Sequence, residues 1–128
     1  MKNLRVNLPG RSYDIRIEHG LLRRAGEEIR TVYQGEKITI ITDSNVGPLY
    51  AGVLRTSLEE SGYRVHTCQI PAGEESKDQK QLFMLYDEML DFGMTRTDLV
   101  IALGGGVVGD LAGFAAATLL RGIPFVQI

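Results

Sequence analysis

The sequence predicts an α/β fold with a mainly parallel sheet, helices on both of its faces and an N-terminal β-hairpin. Three observations carry this prediction. Alternating apolar residues flank a Pro-Gly dipeptide near the N-terminus, short β-branched runs follow, and apolar stripes of helical spacing separate these runs. Strands and helices that alternate along a chain are typical of a parallel sheet covered by helices.

Composition is consistent with one globular domain. The 128 residues include 14 Lys and Arg against 16 Asp and Glu, and 44% are hydrophobic, which excludes a disordered tail, a collagen-like repeat and a strongly basic nucleic-acid binder. Because Cys68 is the single cysteine, we expect neither a disulfide framework nor a cysteine-based zinc site. No apolar run of signal-peptide length is present at the N-terminus, so a cytoplasmic location is expected. Glycines at 104–106 and Asp110 interrupt the apolar stretch 99–120, which argues against a membrane span.

The residue pattern in the first half of the chain predicts the hairpin, two helices and one further strand. Apolar and polar residues alternate over 4–8 and 13–17, on either side of the Pro-Gly turn, so we expect a hairpin with one buried face. A short helix is expected over 21–31, and the β-branched run 37–42 predicts a strand. A second helix, with Gly62 as its C-terminal cap, is predicted by apolar residues at three- and four-residue steps: Val46, Leu49, Tyr50, Val53, Leu54 and Leu58.

The second half repeats this alternation. A strand is expected over 63–70 and a helix around the apolar stripe 82–90, followed by the almost entirely apolar run 98–103, which is typical of a strand buried on both faces. A Gly- and Ala-rich helical stretch then leads to a last strand over 123–128. Because this strand reaches the final residue, we expect the chain to be a fragment of a longer protein.

A glycine run follows the buried strand and opens the next helix. Residues 104–109 match G-x-G-x-x-G in the context that a Rossmann-like phosphate site requires, because glycines let backbone N–H groups approach a pyrophosphate closely. The alternative is that Gly105, Gly109 and Gly113 only let the helix pack tightly. Asp110 would repel a phosphate, so we expect it to accept a hydrogen bond from a ribose or substrate hydroxyl, unless it is merely a favourable acid in the first helical turn.

Two other predicted strand ends carry polar residues. Asp43 and Asn45 could bind the hydroxyls of a ribose, or they could cap the following helix. Further on, Ser76-x-x-Gln79 resembles a capping box, whereas Lys77 is unfavourable near the positive end of a helix dipole and suggests contact with a cofactor or an exposed surface charge.

The remaining titratable residues give weaker signals. His19 and His66 lie far apart without a carboxylate at ligand spacing, so the sequence predicts no metal site. Cys68 is expected to be a buried structural residue. Arg121 can be explained as a cation near the negative end of a helix dipole.

The segments 71–77, 98–118 and 121–128 resemble 3-dehydroquinate synthases, and the resemblance runs through essentially the whole chain. It implies a Rossmann-like NAD-binding domain of an enzyme of the shikimate pathway, which leads to chorismate and the aromatic amino acids. That enzyme, a lyase, converts 3-deoxy-D-arabino-heptulosonate 7-phosphate to 3-dehydroquinate and phosphate. It uses NAD and a divalent metal, zinc or cobalt.

The resemblance also implies roles for individual residues. Arg121 would contact the substrate phosphate in the neighbouring subunit of a homodimer, and no nucleic-acid or membrane partner is expected. The family's metal ligands lie in a helical C-terminal domain and match nothing here, so the 128-residue chain is expected to be inactive alone. The residues that match the family's cofactor contacts are Asp43, Asn45, Glu74, Lys77, Gly105, Gly106 and Asp110.

Three alternatives remain open at this level. The chain could belong to another NAD-dependent sugar-phosphate cyclase, such as a 2-deoxy-scyllo-inosose synthase or a sedoheptulose 7-phosphate cyclase. It could come from a metal-dependent polyol dehydrogenase of related fold, or it could be a non-catalytic nucleotide-binding module.

Overall fold

The computed structural model describes residues 2–128 and contains six strands and four α-helices, together with shorter helical turns. The strands are β1 (Lys2–Val6), β2 (Tyr13–Ile17), β3 (Lys37–Asp43), β4 (Arg64–Ile70), β5 (Leu99–Ala102) and β6 (Phe125–Gln127). The α-helices are α1 (Ala25–Arg30), α2 (Gly52–Glu60), α3 (Gln79–Asp91) and α4 (Gly106–Thr118). The 3-10 turns are Leu21–Arg24, Glu74–Ser76 and Leu119–Arg121, and a π-helical turn, Gly47–Ala51, precedes α2.

Four strands form a parallel sheet in the order β4-β3-β5-β6, which confirms the predicted Rossmann-like α/β class. Strand β3 is central, because Ile41 pairs with Cys68 of β4 on one side and with Ala102 of β5 on the other. All four residues of β5 are buried, as expected for a strand that helices cover on both faces.

Two apolar clusters cover the two faces of the sheet. One joins α3 and α4 to the sheet and contains Leu85, Met89 and Leu111; the other joins α1 and α2 and contains Ile29 and Leu58. Helices therefore lie on both faces, as the sequence predicted. None of the helices formed by residues 2–128 is both long enough and apolar enough to span a membrane.

The hairpin forms in the predicted place, but its expected buried face is wrong. Leu4 pairs with Ile15 across the antiparallel ladder, yet these side chains are 43% and 42% exposed, and Ile17 is 52% exposed. The hairpin does not join the parallel sheet. The hairpin instead lines an open groove shared with α1 and β6, and Arg16, on the face opposite Ile15, forms an ion pair with Glu28 of α1.

Part of the prediction for the second helix is wrong, because two residues of its apolar stripe are exposed. Leu54 and Leu58 are fully buried, but Leu49 and Tyr50 are 68% and 48% exposed. The cause is the π-helical turn Gly47–Ala51, whose i to i+5 geometry turns Leu49 and Tyr50 away from the 3.6-residue stripe. Gly62 follows this helix with φ of 95°, the positive value expected of a C-terminal cap.

Helices α1 and α2 approach each other closely at Gly26. Its N–H donates to Ser57 Oγ at 2.9 Å, and a Cβ added at Gly26 would lie 2.2 Å from the Ser57 carbonyl oxygen. No side chain larger than hydrogen fits there unless the helices move apart. Nothing in the sequence pattern indicated this contact.

We expect Gly26→Ala to destabilise the fold by about 1–3 kcal/mol, because the added methyl group overpacks against rigid backbone. Gly52→Ala is the matched control, since Gly52 is also helical and a Cβ there meets no atom within 4 Å. Alanine at that position should stabilise by up to about 1 kcal/mol. Urea unfolding of both variants measures the difference, and equal midpoints would contradict the close packing of α1 on α2.

Candidate functional site at the carboxyl edge of the sheet

The strand order creates a crevice at the carboxyl edge of the sheet. From β3 the chain passes to β4 on one side, and it then crosses to β5 on the other side of β3. Ligands of open α/β sheets bind at such a switch point, outside the carboxyl ends of the two diverging strands. Here the loops after β3 and β5 contain Asp43 and the glycine run 104–106, respectively.

Asp43 organises the turn that follows β3. Its Oδ1 accepts the N–H groups of Asn45 at 2.9 Å and Val46 at 2.7 Å, so the predicted capping role is real. Within residues 2–128, both of these hydrogen bonds use Oδ1, which leaves Oδ2 for a ligand. Asn45 is exposed beside it, and the capping and ligand-binding roles of Asp43 are therefore compatible.

The loops after β3 and β4 are tied together by Ser44. Its N–H donates to the Ile70 carbonyl oxygen, and its Oγ accepts the Ala72 N–H, both at 2.9 Å. This pair of bonds holds segment 71–77 against the end of β3. The loop that follows β4, an edge strand of the sheet, is therefore held beside the crevice.

The predicted capping box at Ser76 is wrong. Ser76 is buried and donates its hydroxyl to the Pro71 carbonyl oxygen within its own loop. Asp78 caps α3 instead, because its carboxylate accepts the Gln81 N–H at 2.9 Å. The buried Ser76 closes the loop into a compact turn, and Glu74 and Lys77 lie on its outer surface.

The glycine turn divides into an open part and a packed part. A Cβ added at Gly105 or Gly106 would meet no atom within 4 Å, whereas one at Gly109 would lie 2.7 Å from the Gln127 side chain. Gly109 is thus explained by packing of α4 on β6. Gly105 and Gly106 have no such packing role, and they leave open space where the first, unpaired N–H groups of α4 begin.

Lys77 reaches across this site to Asp110. The distance from Lys77 Nζ to Asp110 Oδ2 is 2.8 Å, and Glu74 Oε2 is 3.6 Å from the same nitrogen. The hydrogen bond and charge of Asp110, followed by the charge of Glu74, raise the pKa of Lys77 above its usual value. The structure therefore brings Glu74 and Lys77, from the loop after β4, together with Asp110 of α4, which is distant in sequence.

This pair resolves the difficulty with Asp110. Asp110 is the fifth residue of α4, so the expectation of an acid in the first helical turn is wrong. The Lys77 ammonium group beside the carboxylate offsets its negative charge. Lys77 is likewise stabilised by a partner rather than by its own helix end, which explains its unfavourable position in the sequence.

Arg121 lies away from the crevice. It follows α4 in the turn Leu119–Arg121, and α4 has 13 residues, so about 20 Å of helix separates it from the glycine turn. Arg121 has φ of 68° and is exposed. Within its own chain it cannot contact a ligand held at the carboxyl edge.

The structure also corrects the prediction that His66 lacks a carboxylate neighbour. His66 Nε2 lies 3.2 Å from Glu88 Oε1, and Cys68 is the third member of the same cluster. Sequence spacing missed Glu88 because 22 residues separate it from His66. Cys68 is fully buried, as predicted.

Comparison with known proteins shows which proteins this chain is similar to. Residues 67–128 match the family model for the N-terminal region of 3-dehydroquinate synthase. All 128 residues align at 50% identity with the 3-dehydroquinate synthase of Clostridium beijerinckii and at 45% with that of Latilactobacillus sakei. The chain is therefore similar over its whole length to the N-terminal part of 3-dehydroquinate synthases. It spans 37% and 36% of the lengths of these two relatives.

Solved structures of sugar-phosphate cyclases share the fold of this chain. A 2-deoxy-scyllo-inosose synthase complexed with carbaglucose-6-phosphate, NAD+ and Co2+ superposes with a TM-score of 0.87 at 22% identity, over 99% of this chain and 35% of that one. A 2-epi-5-epi-valiolone synthase from Streptomyces hygroscopicus with NAD+ and Zn2+ bound gives 0.77 at 32% identity, over 95% and 33%.

We expect Asp43→Ala to destabilise the chain by about 1 kcal/mol, because two N–H groups of the turn lose their acceptor. Asp43→Asn keeps an acceptor oxygen and should retain most of the stability. Asn45→Ala, at the neighbouring exposed position, should change the free energy of unfolding by less than about 0.5 kcal/mol. Urea denaturation of the three variants tests this order, and a stable Asp43→Ala variant would argue against the capping role.

Proposed function

We propose that this chain is the NAD-binding domain of an enzyme that converts 3-deoxy-D-arabino-heptulosonate 7-phosphate to 3-dehydroquinate and phosphate. The observation that carries the proposal is the carboxyl-edge crevice, where Asp43, the open glycine turn and the Lys77–Asp110 pair meet in a chain 50% identical to a 3-dehydroquinate synthase. The placement of these groups at the switch point supports a dinucleotide ligand.

The residues at the crevice fit NAD. Gly105 and Gly106 leave the space that a pyrophosphate needs, and the first N–H groups of α4 are available to bind it. The free Oδ2 of Asp43, with the amide of Asn45, suits the two hydroxyls of the adenosine ribose. Bound NAD would supply a hydride acceptor that is regenerated within each turnover.

In this proposal, Lys77 positions the carboxylates of Asp110 and Glu74. Because the pKa of Lys77 is raised, its ammonium group stays protonated throughout the physiological range. It holds the Asp110 carboxylate at the mouth of the crevice, where that carboxylate can accept a hydrogen bond from a cofactor or substrate hydroxyl. Glu74 contributes a second acceptor on the same nitrogen.

The divalent metal of the reaction, zinc or cobalt, would be held outside the crevice described above, by a helical C-terminal domain of the whole enzyme. Related cyclases contain NAD+ with Co2+ or with Zn2+, which supports a metal-dependent reaction in this family. The domain proposed here therefore contributes cofactor binding, and the metal chemistry comes from the rest of the enzyme. An NAD-dependent biosynthetic enzyme of this kind would work in the cytoplasm.

Arg121 would act on the substrate phosphate of a neighbouring subunit. Its separation from the crevice by the length of α4 rules out a contact within the same chain, and its exposure leaves the guanidinium group available to a second copy. A planar guanidinium group suits bidentate binding of a phosphate. This assignment implies a homodimer.

We expect the chain to bind NAD, and Gly106→Ala to weaken binding at least about tenfold, since the methyl group would occupy the phosphate cradle. A helical alanine should not lower stability at this open position. Gly52→Ala, which is equally open but lies on α2, is the matched control and should bind NAD normally. Calorimetric titration measures both, and a folded chain without NAD binding would contradict the proposed cofactor role.

The 128-residue chain should show no turnover of 3-deoxy-D-arabino-heptulosonate 7-phosphate, even with NAD and zinc added, because the reaction requires the metal-binding domain. Phosphate release and dehydroquinate formation are both measurable. Formation of dehydroquinate by this chain alone would contradict the proposal that this domain binds the cofactor and another domain supplies the metal.

A further inference from the structure

We propose that His66, Cys68 and Glu88 form a binding site for one Zn2+ ion between β4 and α3. One ligand atom from each residue, an imidazole nitrogen, the thiol sulfur and a carboxylate oxygen, lies within 4.8 Å of the other two. His66 Nε2 lies 3.2 Å from Glu88 Oε1. This site is independent of the proposed NAD crevice and shares no residue with it.

The fold brings the three ligands together in a simple way. His66 and Cys68 are two residues apart on β4, so their side chains point to the same face of the sheet. That face is covered by α3, which contributes Glu88. One helical turn later, the ring of Phe92 lies 5.4 Å from the His66 imidazole, at a tilt of 32°, and limits its rotation.

The geometry suits a tetrahedral ion. Zinc binds nitrogen and oxygen ligands at about 2.0–2.2 Å, so two such ligands on a tetrahedral ion lie roughly 3.3 Å apart. The 3.2 Å separation of Nε2 and Oε1 agrees with this distance. Three protein ligands leave one coordination position for water.

Charge and access also favour a divalent cation. A thiolate and a carboxylate supply two negative charges, and the neutral imidazole supplies none, so the ligands neutralise the ion. His66 and Glu88 are 34% and 36% exposed, which gives solvent a path to the cluster, while Cys68 is fully buried.

Binding requires the thiol to lose its proton. Burial, followed by the charge and hydrogen bond of Glu88, raises the pKa of Cys68 well above its usual value, so the thiol is protonated before metal enters. On binding, the S–H bond breaks, the sulfur lone pair coordinates the ion, and the proton leaves to solvent. No redox change is involved. A bound ion would link the edge strand β4 to α3.

The test is titration of the chelator-treated 128-residue chain with Co2+, which reports its ligands by absorption. We expect one ion per chain, a thiolate-to-cobalt charge-transfer band in the near ultraviolet, and loss of that band when Zn2+ is added. Cys68→Ser should abolish the band. His66→Gln and Glu88→Gln should keep the band but weaken the affinity for Co2+ by about tenfold or more. Loss of a direct ligand should cost at least as much affinity as loss of an outer-shell partner.

Two variants serve as controls. His19→Gln changes the other histidine of the chain, and Asp87→Asn changes the exposed carboxylate next to Glu88. Both should bind Co2+ as the unmodified chain does. Circular dichroism establishes that each variant is folded.

The proposal is overturned if the unmodified chain gives no thiolate band with excess Co2+, or if His66→Gln and Glu88→Gln bind as tightly as the controls. The first outcome depends on the unmodified chain alone, so the proposal stays testable even if Cys68→Ser fails to fold. Failure to bind NAD would leave this proposal untouched, because the two sites share no ligand.

Discussion

The structure depends on β3, a central strand that is hydrogen-bonded on both sides and buried on both faces. Parallel pairing forces the carboxyl ends of β3, β4 and β5 to the same edge. Every group assigned to the cofactor crevice is at or just after one of these ends. The order β4-β3-β5-β6 then opens the crevice where the chain crosses over β3.

Charge at this edge is balanced by contact between elements rather than within them. Asp110 lies just beyond the first turn of α4 and Lys77 precedes α3, and the two helices share one face of the sheet. Alone, an acid beside a phosphate site and a lysine at a helix N-terminus are each unfavourable. Together they form a pair that fixes the loop after β4 beside the glycine turn, so the crevice is arranged without a ligand.

The same face of the sheet also carries the cluster of His66, Cys68 and Glu88. Its members lie along β4 and α3, whereas the crevice occupies the loops beyond the strand ends. The layer formed by α3 and α4 therefore contributes both to the Lys77–Asp110 pair and to this cluster. In both, residues from separate elements meet because β4 and α3 are held at a fixed register against the central strands.

The alternation of strand and helix, the buried run at β5 and the glycine turn were all readable from the sequence, because they depend on local periodicity and on residues with special backbone freedom. The sequence also pointed to Asp43, Lys77 and Asp110, since each was locally informative or locally unfavourable. The capping box failed because Ser76 found a backbone acceptor in its own loop. The exposed face of the hairpin was equally unpredictable, since periodicity shows that a face is apolar and not what covers it.

Only the tertiary structure decided which of these residues meet. Lys77 and Asp110 are 33 positions apart, and His66 and Glu88 are 22 apart, so no local pattern connects them. The close approach of Gly26 to Ser57 and the distance of Arg121 from the crevice likewise follow from packing. Sequence by itself determined the elements and their chemistry, because these are local properties. Tertiary structure determined the partners, because charge balance, ligand geometry and close packing depend on distances between elements that are far apart along the chain.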